Sequence, residues 1–281
     1  MNKYDAVYDV CPVCNSKNIL HYHTDYRENK IFKCLSCGVQ FMNPVYSDAY
    51  LEEYYSNYIP QELDQRLLAH QAEVINDNFR AINKFISKGR FLDFGTGDGT
   101  HAKYAKDKNW DAAGYDVDCS TMAKIKKEFD LDTYCGDFFE IDWGKGKFDL
   151  IYANQVIEHL KNPVDHLKYF YNLLDDGGYL FISVPNINST SHRLKRFLEK
   201  LNVRKNNIGK YYDSDHHLIY YTPETIRQLL RESNFRVLYC RNCAKPGGSR
   251  SKLQQFVNKY INEKILSTST FLLVAEKVKQ S

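Results

Sequence analysis

From Arg90 to Val184 the chain alternates short strand-like runs with helical ones, and no other feature limits its fold as much. The strand-like runs are Phe91 to Gly95, Ala112 to Val117, Thr133 to Cys135, Phe148 to Ala153 and Gly178 to Val184. Helical stretches between them end near Asn109, Phe129 and Leu174. A strand followed by a helix returns to the sheet beside its predecessor, so the pattern predicts a doubly wound α/β domain with a parallel sheet. In such sheets ligands bind at the carboxyl ends of the strands, where the strand order switches.

At the first of these ends stands Asp93-Phe-Gly95-Thr96-Gly97-Asp-Gly99. Alternate glycines let the backbone turn sharply and approach a ligand that side chains would hold away. Such a string alone fits dinucleotide sites and plain turns equally. Two further acids narrow it. Asp116, followed by Val117, ends the second strand, where a carboxylate can take both hydroxyls of a ribose. Gly136-Asp137-Phe138-Phe139 follows the third, where an acid can accept from an adenine amino group and a ring can cover the base. Helix caps are the bland reading of Asp116 and Asp137.

With these residues in place, Phe91 to Gly178 resembles the class I S-adenosylmethionine-dependent methyltransferases. The string Asn154-Gln155-Val156-Ile157-Glu158-His159-Leu160 with Asn162-Pro163 resembles the post-strand motif of the branch containing the ubiquinone-type O-methyltransferases. The resemblance implies a seven-stranded Rossmann-like sheet binding S-adenosylmethionine. Asp93, Gly95 and Gly97, with Thr96 and Gly99 in the same loop, would frame the methionine part. Asp116 and Val117 would hold the ribose side, Asp137 and Phe138 the adenine, and Asn154 and Gln155 would lie beside the methyl group. Strands at Phe235–Tyr239 and Phe271–Val278 fit the antiparallel pair that closes this fold, with an amphipathic helix expected between them at Ser251–Ile265 inside a 245–265 insertion.

The N-terminus carries separate chemistry. Cys11-Pro-Val-Cys14 and Cys34-Leu-Ser-Cys37-Gly38 are two knuckles able to set four thiolates around one zinc ion, with Pro12 and Gly38 suited to the turns. Four thiolates close the coordination shell, so the metal is expected to be structural, holding a module (1–45) too small to fold unaided. His21 or His23 replacing a cysteine is the lesser alternative. Residues 46–88 read as a helical connector or cap, and 89–281 as the main domain. Cys240 and Cys243 read as thiols on or just after a strand, and Cys119 and Cys135 as isolated packed thiols.

A net charge of +3 gives no broad phosphate footprint, so nucleic acid is not the expected partner. The first residues show no export signal and no run is long and apolar enough to span a bilayer, which points to a cytoplasmic protein whose cysteines are thiols or metal ligands. Cations do gather locally. Residues 186–215 hold Arg193, Lys195, Arg196, Lys200, Arg204, Lys205 and Lys210, and the spacing of Leu194, Phe197, Leu198 and Leu201 suggests an amphipathic lid helix over the site. Several cations acting together suit a phosphate-bearing acceptor, or peripheral contact with an anionic membrane.

Methyl transfer needs an acceptor aligned with the methyl group and, for some acceptors, a base. The candidates are His217 and His216, in a His-Leu-x-Tyr-Tyr-Thr-Pro segment resembling glycan- and small-molecule-modifying relatives, and His159 after the fourth strand. Together these features suggest O- or N-methylation of a sugar, nucleotide-linked sugar or similar small molecule in glycan or specialised-metabolite biosynthesis. The alternative is an RNA methyltransferase that binds RNA through the zinc module and the basic insertion. A non-catalytic cofactor-binding scaffold and a nicotinamide oxidoreductase rank below these.

Overall fold

The computed structural model describes residues 3–5, 7–56, 65–144, 146–203, 206–243 and 268–279. The helix expected at Ser251–Ile265 falls outside them, as do Arg204 and Lys205. In chain order the elements are β1 (Ile19–Thr24), β2 (Lys30–Cys34), β3 (Gln40–Met42), α1 (Asp48–Ser56), α2 (Gln65–Ile82), β4 (Arg90–Phe94), α3 (Thr100–Asp107), β5 (Asp111–Asp116), α4 (Cys119–Phe129) and β6 (Asp132–Cys135). They continue with β7 (Phe148–Asn154), α5 (Pro163–Leu173), β8 (Leu174–Pro185), α6 (Thr190–Lys200), β9 (Ile219–Tyr220), α7 (Pro223–Glu232), β10 (Phe235–Asn242) and β11 (Thr270–Lys277).

The larger sheet has seven strands in the order β10-β11-β8-β7-β4-β5-β6, as the alternating pattern and the resemblance together implied. β4 pairs in parallel with both β5 and β7, so the order switches at its edges. β11 runs antiparallel between β8 and β10. The central strands are buried on both faces, which explains their nearly continuous apolar runs. On one face α2 lays Phe79 against Phe91 and Tyr152, with ring centroids 5.9 and 6.1 Å apart. Ile75, Phe79 and Ile82 of this helix are buried, each contributing about 1.5–3 kcal/mol of apolar burial.

Helix starts follow local chemistry. The Asp118 carboxylate accepts from the Ser120 N–H at the head of α4. Thr222 and Thr225 form a reciprocal capping box at α7, with Pro223 in its first turn.

The N-terminal residues form a second sheet, β1-β2-β3-β9, whose fourth strand comes from the segment just after His217. Its core is continuous with that of the main domain: Cys11, Val13, Ile31, Cys34 and Phe41 belong to the same buried cluster as Leu218, Tyr221 and Leu230.

One expectation is overturned. Cys119 and Cys135 are joined in a disulfide, where packed thiols were expected. Cys119 opens α4 directly after β5 and Cys135 ends the adjacent β6, so parallel pairing of these strands brings the two α-carbons to 5.0 Å, inside the range a disulfide needs. Their separation of 16 residues hid this in the sequence. Cys240 lies in β10 and Cys243 just after it, both free, as expected.

Candidate functional site

The loop after β4 is shaped by its glycines. Gly95, Gly97 and Gly99 all have positive φ, at 74°, 54° and 78°. A Cβ on Gly95 would stand 2.6 Å from Val156 Cγ2, and one on Gly99 2.9 Å from Ile125 Cγ2. Gly95 therefore admits the chain leaving β7, and Gly99 admits α4 against the head of α3. Gly97 faces open space, with nothing within 4 Å of its would-be Cβ.

Asp93 supports this loop from beneath. It is 2% exposed, its carboxylate accepts from Thr96 Oγ1 at 2.7 Å, and burial lifts it to about 7. Thr96 is buried against Gly114, so the Asp93–Thr96 pair braces the loop and does not line its surface. Asp116 stands at the loop's other side, where Oδ2 accepts from the Gly97 N–H at 3.1 Å. Burial raises its pKa too. It is not the α4 cap, since Asp118 takes that role. Asp137 does act as a cap, accepting from the Phe139 N–H at 3.0 Å.

Of the two rings after β6, the one expected over adenine, Phe138, is the one turned inward. Phe138 is packed among Phe94, Tyr115, Trp143 and Phe170, 3% exposed, whereas Phe139 is 43% exposed. Val117 is likewise exposed. These two apolar side chains flank Asp116 and Asp137 at neighbouring strand ends, a setting suited to the faces of a flat ring. On β7, the Asn154 Oδ1 accepts from Asn78 Nδ2 at 3.4 Å, and Gln155 sits at φ 57° with its amide donating to Ser183 Oγ at 3.1 Å.

The three candidate histidines converge. His159 ends a 3-10 turn, Ile157–His159, directly after β7, and His216 and His217 precede β9. The ring centroids of His159 lie 5.0 Å from those of His216 and 4.9 Å from those of His217. Burial, reinforced by the neighbouring rings, holds His159 and His217 down at about 3, and burial lowers His216 as well. All three are therefore neutral near pH 7 and are weaker proton acceptors than the near-neutral histidine a base role favours.

Sequence reasoning missed several members of this cluster. Tyr54 on α1 bonds through its hydroxyl to His216 Nδ1 at 3.0 Å and stacks on that ring. The Tyr55 hydroxyl lies 3.1 Å from His159 Nδ1. Glu158 is 1% exposed with neither carboxylate oxygen partnered among the described residues, and burial raises it to about 8. Two adjacent tyrosines in a tyrosine-rich chain gave no usable signal, and Glu158 was visible only as part of a motif.

At the N-terminus, Cys11, Cys14, Cys34 and Cys37 form one cluster with all sulfurs within 4.8 Å. Cys11 and Cys37 are 3.6 Å apart, as are Cys14 and Cys34. A tetrahedral ion with Zn–S bonds of about 2.3 Å separates its sulfurs by about 3.8 Å, so the donor set fits zinc. The Val13 and Cys37 N–H groups point at Cys11 and Cys34 sulfurs, at 3.4 and 3.5 Å, as knuckle geometry requires. His21 and His23 are outside the cluster.

The sheet order and the strand-end loop define the class: a class I methyltransferase fold with glycines and acids gathered at the carboxyl ends of its strands. Residues 66–239 match the methyltransferase-domain family, and the chain belongs to it as an S-adenosylmethionine-dependent methyltransferase. No curated protein matches the chain. Among solved structures it is similar to an S-adenosylmethionine-dependent methyltransferase, possible histamine N-methyltransferase, from Thermotoga maritima (TM-score 0.52, 17% identity, covering 82% of this chain and 96% of that one). It is also similar to the magnesium protoporphyrin IX methyltransferase of Synechocystis with bound S-adenosylhomocysteine (TM-score 0.52, 11% identity, 82% and 95% covered). A third similar structure is a methyltransferase from Listeria monocytogenes (TM-score 0.52, 16% identity, 75% and 99% covered). At these identities the likeness is one of fold. Among the described residues no helix is long and apolar enough to cross a membrane.

Proposed function

We propose that the chain methylates an oxygen or nitrogen of a sugar, nucleotide-linked sugar or similar anionic small molecule. The observation that carries this reading is the histidine–tyrosine cluster of Tyr54, Tyr55, His159, His216 and His217, which adjoins Asn154 and Gln155 at the carboxyl end of β7. Its hydroxyls and neutral ring nitrogens suit a hydroxyl-rich acceptor better than an apolar one. S-Adenosylmethionine supplies the activated methyl group. Asp116 would hold the ribose, Asp137 the adenine with Val117 and Phe139 against the base, and the loop of Gly95, Gly97 and Gly99 the methionine part. The acceptor's lone pair attacks the methyl carbon as the carbon–sulfur bond breaks, leaving S-adenosylhomocysteine, and the histidine cluster, with His217 foremost, orients the acceptor hydroxyl and relays the proton it loses to solvent.

The helix α6 supports an anionic acceptor. None of its residues is buried, and Arg193, Lys195 and Lys200 stand beside exposed Leu194 and Phe197. The four cysteines are assigned to a structural zinc ion, on the sulfur spacing described above.

Transfer of labelled methyl groups from S-adenosylmethionine into fractionated extract of the source cells tests the reading. Label is expected in the small-molecule or glycan pool and falls in His217→Ala while S-adenosylhomocysteine affinity holds. Label confined to RNA and released by nuclease would replace this substrate class.

A further inference from the structure

We infer that His159, His216 and His217 bind a divalent transition-metal ion, beside Glu158 and separate from the four-cysteine cluster, with a coordination position left open for an oxygen of the acceptor. The inference deepens the acceptor-site reading above: with the ion bound, the acceptor oxygen would meet the metal where a histidine nitrogen otherwise faces it, and the identity of that oxygen rests on that reading.

The geometry carries it in three steps. First, one nitrogen from each of the three rings lies within 4.8 Å of the others. A tetrahedral ion with bonds of about 2.0–2.1 Å sets its nitrogens about 3.3 Å apart, so the rings need to swing inward by roughly an ångström each. The backbone beneath them is fixed, because the Leu218 N–H donates to the Glu158 carbonyl at 2.9 Å and β9 follows at once.

Second, the rings of His159 and His216 are each held by an oxygen through Nδ1. His159 Nδ1 lies 3.1 Å from the His216 carbonyl, which only accepts, so Nδ1 carries the hydrogen and Nε2 carries the lone pair. His216 Nδ1 is tied to the Tyr54 hydroxyl at 3.0 Å. An oxygen holding the far nitrogen of a ring, as in these two, is the arrangement that orients metal-ligating histidines.

Third, the cluster has an uncompensated acid. Both Glu158 oxygens are buried and without a partner among the described residues, and Oε1 lies 3.9 Å from His159 Nε2, the nitrogen with the lone pair. A buried carboxyl with no hydrogen bond is costly unless a cation or donor completes it. An ion on the histidines supplies that charge. Three imidazoles, with a carboxylate beside them and no thiolate, favour zinc, cobalt or nickel over magnesium or calcium, and three protein ligands with an open position is the pattern of reactive zinc sites.

The test is metal content. Full-length protein is dialysed against zinc, desalted and measured by plasma mass spectrometry, alongside His217→Ala, His216→Gln and Cys34→Ser. Two zinc ions per chain are expected in the unaltered protein, and one in each histidine variant. In Cys34→Ser the remaining ion, replaced by cobalt, is expected to show no thiolate charge-transfer band. One zinc ion per chain in the unaltered protein, or histidine variants holding as much zinc as the parent, overturns the inference without need of any variant's activity. Methyl transfer into the glycan pool with a single zinc ion keeps the function and removes this site. Two zinc ions with label only in RNA keeps the site and removes the acceptor class.

Discussion

Replacing Gly95 with alanine separates two constraints that the loop after β4 imposes at one residue. Gly95 has φ 74°, where an L side chain costs about 1–2 kcal/mol. The new Cβ would also stand 2.6 Å from Val156 Cγ2 and 3.1 Å from Cγ1, overpacking of the kind that costs about 1–3 kcal/mol. The expected destabilisation is therefore roughly 2–5 kcal/mol by urea unfolding. Only the steric part is relieved by Val156→Ala. A double-mutant cycle should return a favourable coupling of about 1–3 kcal/mol, leaving the backbone part in place. Gly97→Ala is the control: its Cβ meets nothing within 4 Å, so it should lose only the backbone part yet weaken S-adenosylhomocysteine binding, measured by calorimetry. If Val156→Ala recovers nothing, the close approach of the two loops is not what requires glycine at position 95. If Gly97→Ala binds the cofactor normally, the open space beside it is not the cofactor's.

Asp116→Ala should weaken S-adenosylhomocysteine at least about tenfold, the value of one lost charge-assisted hydrogen bond, and undiminished affinity by calorimetry would remove the ribose assignment. Asp93, raised by burial to about 7 from the ordinary 3.8, holds its proton more tightly folded than unfolded. Its contribution is thus full below about pH 4 and is lost as pH climbs through 7, by up to roughly 4 kcal/mol. Asp93→Asn should flatten that fall in unfolding experiments at pH 5 and 8, and equal pH dependence in both proteins would contradict it. Reducing the Cys119–Cys135 disulfide should cost about 3 kcal/mol of stability, the loop-closure value for a ring of about this length. Identical unfolding curves with and without reductant would show that the bond does not constrain the unfolded chain.

The main sheet was legible because its central strands carry continuous apolar runs between helices with recognisable caps, and the glycine loop because its spacing reports positive φ. What stayed hidden depends on tertiary adjacency. The disulfide joins residues that only parallel pairing of β5 and β6 brings together. Phe138 and Phe139 look alike in sequence, and the short turn after β6 decides that the first enters the core and the second faces solvent. Tyr54 and Tyr55 reach the histidines from α1, more than a hundred residues away in the chain.

The N-terminal module also has a part in the candidate site that its small size conceals. Its strand β3 pairs with β9, and the Met42 N–H donates to the Leu218 carbonyl at 2.8 Å, one residue beyond His217. Asn29 and the Tyr46 hydroxyl hold Ser214 on the other side of the histidine pair, while the Tyr212 hydroxyl donates to Gln40 Oε1 at 2.8 Å. The segment bearing His216 and His217 is thus clamped at both ends by residues of the first fifty. β2 and β3 are in turn joined by the turn that carries Cys34 and Cys37. Loosening the cysteine cluster would therefore act on His216 and His217 through β3 and β9, whereas the glycine loop after β4 is held from the main sheet, by β5 through Tyr115 and Asp116. A metal at the cysteines would then influence the proposed acceptor end of the site without touching either reactant.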